Sequence, residues 1–121
     1  MQIIRFTINY QVEQKQKFER FLKQFEREIG YNLINLNIEK YWKKENQFQA
    51  IFYVETVNQS VEKMICKVLR LANKLWSSAN LNWRFNGPHE NNGFIYFECI
   101  LNNENDDKPL RWAHIELDHS K

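Results

Sequence analysis

One histidine and two glutamates near the C-terminal end of the sequence have the side chains for acid–base chemistry. His114 and Glu116 are two residues apart in an alternating segment, and Glu98 is a polar residue of the alternating segment before it. Residues two apart in a strand lie on the same face of a sheet. A histidine beside carboxylates, with Asp118 as a further member, could act as a general base.

The other sequence features of a catalytic or metal site are missing. The sequence has no nucleophile elbow, no phosphate-binding glycine loop and no HExxH spacing. His89, His114 and His119 have no cysteine or close histidine partner, so no clustered set of metal ligands is predicted. We therefore expect no enzymatic activity, no cofactor and no metal.

Hydrophobic periodicity predicts the elements that position these side chains. Alternation predicts strands over residues 3–10, 34–42, 48–54, 81–85, 94–101 and 110–118. Spacings of three and four predict helices over 13–29 and 61–76, with Gly30 as C-cap of the first and Asn58 as N-cap of the second. Residues 86–92 are predicted to be a turn, and the tail 119–121 to be frayed.

This order of elements predicts the fold class. It predicts an α/β (α+β) sandwich with a ferredoxin-like β-α-β-β-α-β core, an additional C-terminal antiparallel strand pair and both helices on one face of the sheet. A length of 121 residues predicts a single domain over residues 1–121.

Composition predicts a cytoplasmic protein. No segment reads as a secretory signal or as the roughly 20 apolar residues of a membrane span. Two cysteines, Cys66 and Cys99, do not make a disulfide framework, and we expect both to be small core residues in a reducing compartment.

Charge is divided unevenly along the chain. Residues 1–88 contain 14 Lys and Arg against 8 Asp and Glu, whereas residues 89–121 contain 3 against 7. The acidic C-terminal quarter suggests an oriented partner surface.

The face of the sheet away from the helices could bind RNA. Arg5 and Arg84 could contact phosphates, and bases could stack on four aromatic residues, Tyr53, Phe94, Tyr96 and Trp112. The segment 93–97 faintly resembles the RNP1 signature of RNA-recognition motifs, but it comes two strands too late. Asn92 and Ile95 replace the residues expected there.

The same face could instead bind a protein. Aromatic residues anchor interfaces, and an acidic patch suits a basic partner. The candidate partner-binding residues are Tyr96, Glu98, Glu104, Asp106, Asp107, Trp112 and Glu116.

The chain resembles the small immunity proteins of bacterial contact-dependent growth inhibition and related polymorphic toxin systems. The resemblance is carried by size, the αβ sandwich, the missing catalytic motif and the acidic, aromatic segment ENNGFIYFECILNNENDDKPLRWAHIEL. It implies a cytoplasmic inhibitor that binds one cognate toxin domain, often a nuclease, and occludes its basic active site. The partner would be a protein, with no membrane involved. RNA binding through the open sheet is the alternative, and the oligomeric state stays open.

Overall fold

The computed structural model describes residues 2–76, 83–103 and 109–120. Six strands and two helices follow one another as β1 (Gln2–Gln11), α1 (Lys15–Ile29), β2 (Ile34–Lys40), β3 (Gln47–Thr56), α2 (Val61–Leu75), β4 (Trp83–Asn91), β5 (Phe94–Asn102) and β6 (Leu110–Ser120). The predicted α+β class is confirmed. Neither helix within these residues has the length and apolar character needed to cross a membrane.

All six strands form one antiparallel sheet in the order β2-β3-β1-β6-β5-β4. The last strand, β6, therefore pairs with β1 in the middle of the sheet, and β4 lies at the edge. The C-terminal strands do not simply extend the sheet beyond β4, because β4, β5 and β6 return as a meander to the central strand. Polar side chains of the N-terminal and C-terminal strands thereby become neighbours.

Alternation along β1 positions the core. Ile4, Phe6 and Ile8 are fully buried, and the ring of Phe6 stacks on Phe52 of β3 with centroids 4.8 Å apart. Phe25 of α1 meets Phe6 edge to face at 5.7 Å. The buried side chains of α2 belong to the same hydrophobic cluster. One face of β1 is thus sealed, and the residues between these three point to the other face.

The helix ends follow local chemistry. Gly30 has φ 73° and caps α1, as predicted, because a left-handed residue without Cβ costs little there. The predicted N-cap of α2, Asn58, is wrong: Ser60 holds that position, and its Oγ accepts a hydrogen bond from the backbone N–H of Lys63. Ser60 directly precedes the first helical residue, which brings its side chain within reach of the third N–H.

The predicted turn over residues 86–92 is wrong. Strand β4 continues to Asn91, and the reversal is made by Asn92 and Gly93, both at positive φ, as in a two-residue hairpin. The register between β4 and β5 shifts between Asn86 and His89, so β4 is irregular over these residues. Gly87 lies in it with φ 105°, where a Cβ would come within 2.5 Å of the Tyr96 carbonyl oxygen.

The other boundaries of helices and strands differ from the predicted ones by a few residues. The tail is not frayed at His119, since β6 runs to Ser120 and Nε2 of His119 lies 2.7 Å from the Gln59 carbonyl oxygen.

Both cysteines are free; Cys99 is buried as expected, but Cys66 is exposed, so its predicted place in the core is wrong. Cys66 lies on the solvent-exposed side of α2.

Candidate functional site

The cross-strand register brings the predicted polar residues to one face of the sheet. Glu98 lies opposite Glu116, and Glu116 lies opposite Arg5. Cross-strand partners point to the same side, so these side chains share the face opposite Phe6. The sequence prediction of this polar face by alternation is correct for the described residues that it names on β1, β3, β5 and β6.

Four side chains of β5 and β6 form a compact group that we call the carboxylate cluster: Tyr96, Glu98, His114 and Glu116. Nε2 of His114 lies 2.7 Å from Oε2 of Glu98 and 4.0 Å from Oε1 of Glu116. The Tyr96 hydroxyl lies 2.6 Å from Oε2 of Glu98 and 3.0 Å from Oε1 of Glu116. The two carboxylates, directly opposite in the sheet, are therefore linked through the tyrosine and the histidine.

Neighbouring strands extend the cluster on both sides. Asn86 of β4 donates from Nδ2 to Oε1 of Glu98 at 3.0 Å, and its own Oδ1 lies 2.7 Å from Nε2 of His89. On the other side, the guanidinium of Arg5 lies 3.6 Å from Oε2 of Glu116. The polar network thus crosses four adjacent strands, and a rigid sheet holds every member.

Hydrogen bonding sets the ionisation of the cluster. The pKa of Glu98 is lowered to about 2, first by the Tyr96 hydroxyl and then by the Asn86 amide, both of which donate to the charged form. The pKa of Tyr96 is raised, first by burial and then by the two carboxylates beside its hydroxyl, Glu98 and Glu116. Glu98 is therefore a carboxylate at neutral pH and Tyr96 is a neutral donor.

An indole and a polar depression adjoin the cluster. Trp112 is half-buried, and its ring lies beside His114 with centroids 5.7 Å apart. The depression next to it has a volume of about 650 Å³ and is lined mainly by amide side chains, among them Asn9 and Gln49. Gln49 donates to Asn9 at 2.9 Å, so part of this lining is already held in place.

The structure brings together four of the seven candidate partner-binding residues: Tyr96, Glu98, Trp112 and Glu116. The other three, Glu104, Asp106 and Asp107, lie outside the described residues. Asp118 shares the face but is not one of the three potential metal-binding residues Glu98, His114 and Glu116, whose donor atoms lie within 4.8 Å of one another.

Sequence reasoning missed two members of the network, Asn86 and His89, because it assigned them to a turn. Their contact depends on the register shift in β4, which leaves no periodic signal in the sequence. The spacing of the histidines also did not predict that ligand-type atoms would meet here. The partners of His114 are carboxylates on its own strand and on the strand beside it.

Charge separates between the sheet face and the helices. Among the described residues, the register puts the guanidinium groups of Arg5 and Arg84 on the polar face together with five carboxylates, Glu39, Glu55, Glu98, Glu116 and Asp118. Arg111, Lys44 and Glu45 line the depression on the same face, which leaves six carboxylates against four basic side chains. The two helices together carry nine Lys and Arg against four Glu. The polar face is therefore acidic although the whole chain has a formal net charge of +2.

No family model, curated protein or solved structure matches this chain in comparisons with known proteins. A function has therefore to be argued from the residues and their geometry.

Proposed function

We propose that the chain is a cytoplasmic immunity protein that binds and neutralises a cognate bacterial toxin domain, a nuclease, through the polar face of its sheet. The observation that carries this proposal is the carboxylate cluster. It presents two opposed carboxylates, fixed by hydrogen bonds, beside the partly exposed Trp112.

Charge complementarity supports a basic partner. Proteins that act on nucleic acids carry basic surfaces that meet phosphates. Counting the lining of the depression, the described residues of this face include six carboxylates and four basic side chains, so its charge is opposite to that of such a surface. Complementary electrostatic potentials on two proteins speed their association and disfavour binding of wrong partners. Occupying the basic site of a nuclease in this way would exclude its substrate.

Preorganisation supports high affinity for such a partner. Tyr96, Asn86 and His114 already hold Glu98, so little side-chain entropy is left to lose on binding. Tyr and Trp are the residue types that most often anchor interfaces. Tyr96 and Trp112 lie on either side of the acidic pair in the sheet, with their strands paired directly.

RNA binding is less well supported than protein binding. Arg5 and Arg84 share the face with Tyr53, Tyr96 and Trp112, as a stacking platform would need. The centre of that platform, however, is occupied by Glu98 and Glu116, and carboxylates repel phosphates.

The fold proposal is part of the same inference. The first six elements follow the chain order of a ferredoxin-like unit, and we propose that both helices cover one face while the polar face stays open for the partner. The pairing of β6 with β1 is a variation on that unit. Burial of Ile4, Phe6 and Ile8 with side chains of both helices supports this arrangement.

The test begins with the gene immediately upstream, where this proposal predicts a large secreted protein that ends in a toxin domain. We expect this domain to be a nuclease that the chain inhibits on binding, as measured by calorimetry and a nuclease assay. The double variant Glu98→Gln/Glu116→Gln should bind at least about tenfold more weakly, because the partner's basic groups lose the two negative charges that they would pair with.

A matched double variant controls for charge alone. Glu13→Gln/Glu19→Gln removes the same charge from exposed positions outside the sheet and should bind as the parent does. Equal weakening by both double variants would contradict docking at the polar face. An upstream gene without such a domain, together with filter binding of mixed RNA that weakens as salt rises, would favour the RNA-binding alternative instead.

A further inference from the structure

We propose that Glu98, His114 and Glu116 form a binding site for a divalent transition-metal ion of the zinc type. This inference does not depend on the identity of the protein partner, but the ion would cancel the charge of the two carboxylates, so the ion and a basic partner would compete for them. It rests on how three donor atoms converge, on a missing hydrogen between two carboxylates and on how the other oxygens of those carboxylates are held.

The donor separations are close to those of a metal site. Zinc binds imidazole nitrogen and carboxylate oxygen at about 2.0–2.2 Å, so tetrahedral ligand atoms lie roughly 3.3–3.6 Å apart. Nε2 of His114 is 2.7 Å from Oε2 of Glu98 and 4.0 Å from Oε1 of Glu116, which brackets that range. All three donor atoms lie within 4.8 Å of one another. Rotamer adjustments of about an ångström would suffice to close around an ion.

The contacts of Tyr96 with the two carboxylates are short of one hydrogen. A tyrosine hydroxyl has a single hydrogen. Tyr96 nevertheless lies within hydrogen-bond distance of both carboxylates, at 2.6 Å and 3.0 Å. Only one of these contacts can use the hydroxyl hydrogen, so the other sets two oxygen lone pairs against each other. Like charges opposite each other in a sheet are unfavourable, and a cation between Glu98 and Glu116 would remove the conflict.

Outer contacts leave one oxygen of each carboxylate facing the histidine. Oε1 of Glu98 accepts from Asn86, and Oε2 of Glu116 is next to Arg5. The remaining oxygens, Oε2 of Glu98 and Oε1 of Glu116, are those nearest Nε2 of His114. Metal-ligating side chains are typically oriented by such outer partners. The Arg5 guanidinium opposes a cation, but it is half exposed and contacts the outer oxygen.

The site would be open on one side. The side chains of His114 and Glu116 are 20% and 25% exposed, so an ion can enter from solvent. Three protein ligands leave a fourth position for water or for a group from another molecule, as in zinc sites that are not purely structural.

Calorimetry of the untagged, chelator-treated chain with zinc chloride tests the proposal. We expect one ion to bind per chain, and His114→Gln and Glu116→Gln each to weaken binding by at least about tenfold. His119→Gln is the matched control, since His119 is also on β6 but contacts Gln59 instead of the cluster. It should bind as the parent does.

Thermal unfolding with and without zinc gives a second measurement. The ion should raise the unfolding temperature of the parent and of His119→Gln, but not that of Glu116→Gln, because only a ligand of the folded state stabilises it. Loss of binding in His119→Gln but not in His114→Gln would overturn the proposal. No binding of zinc to a folded parent chain would also overturn it, and infrared absorption of a protonated glutamate would then assign the missing hydrogen to that residue.

Discussion

Glu98 of β5 and His114 of β6 are joined diagonally across the sheet, with Oε2 and Nε2 2.7 Å apart. Their direct cross-strand neighbours are Glu116 and Ile100, respectively. The pair therefore exists only in this register, since a slip of one residue would send one side chain to the core face. The same pairing that buries Cys99 opposite Ile115 creates the polar contact on the other face.

The pH dependence of stability should report this contact. The folded-state pKa of Glu98 is lowered from 4.5 to about 2, chiefly by the Tyr96 hydroxyl. Its contribution to stability is therefore complete above about pH 4.5 and is lost as the pH falls through about 2. The shift corresponds to at most about 3 kcal/mol. Urea unfolding between pH 2 and 7 should show this loss in the parent.

In Glu98→Gln the part of the pH dependence that Glu98 causes should be missing. Glu19→Gln, which changes an exposed carboxylate of α1, should keep it. Parallel profiles for the parent and Glu98→Gln would show that the hydrogen bonds of Glu98 do not favour its charged form.

The two thiols should differ strongly in reactivity. Burial, and secondarily the charge of Glu98, raises the pKa of Cys99 to about 12, whereas Cys66 is exposed on α2. Since the thiolate is the reactive form, a disulfide reagent at pH 8 should titrate one thiol per native chain and two in denaturant. Cys66→Ser should leave no rapidly reacting thiol in the native protein. Rapid reaction of that variant would mean that Cys99 is accessible.

Phe6 should be a main source of core stability. It is fully buried between Phe52 and Phe25, so Phe6→Ala should lower the free energy of unfolding by about 3–5 kcal/mol. Phe94→Ala, at a ring that is 49% exposed, should cost about 1 kcal/mol or less. Denaturant unfolding measures both. If Phe6→Ala does not fold, Phe6→Leu should still be measurably less stable than Phe94→Leu.

The N-cap of α2 can be tested by a pair of alanine variants. Ser60→Ala removes the acceptor for the Lys63 N–H and should cost about 0.5–1 kcal/mol of unfolding free energy. Asn58→Ala, two residues earlier, should have a smaller effect, because it lies outside the helix end. A larger loss in Asn58→Ala than in Ser60→Ala would contradict the cap assignment.

The sequence by itself determined the elements and the sidedness of the strands. Alternation through Ile4, Phe6 and Ile8 separates a buried face from a polar one, and Gly30 ends α1, because both depend on residues within a few positions of each other. The same alternation was enough to predict that Glu98, His114 and Glu116 share the polar face. Burial of apolar area is the physical reason, since it selects one orientation for each strand.

Only the tertiary structure decided which strands are neighbours and which polar atoms meet. That β6 pairs with β1 brings Arg5 to Glu116, and the register shift in β4 brings Asn86 to Glu98. Both depend on pairings between segments far apart in the chain, whose relative stability is set by the packing of the whole sheet. Local periodicity is the same for any order of strands, so it has no information about a contact that arises from that order.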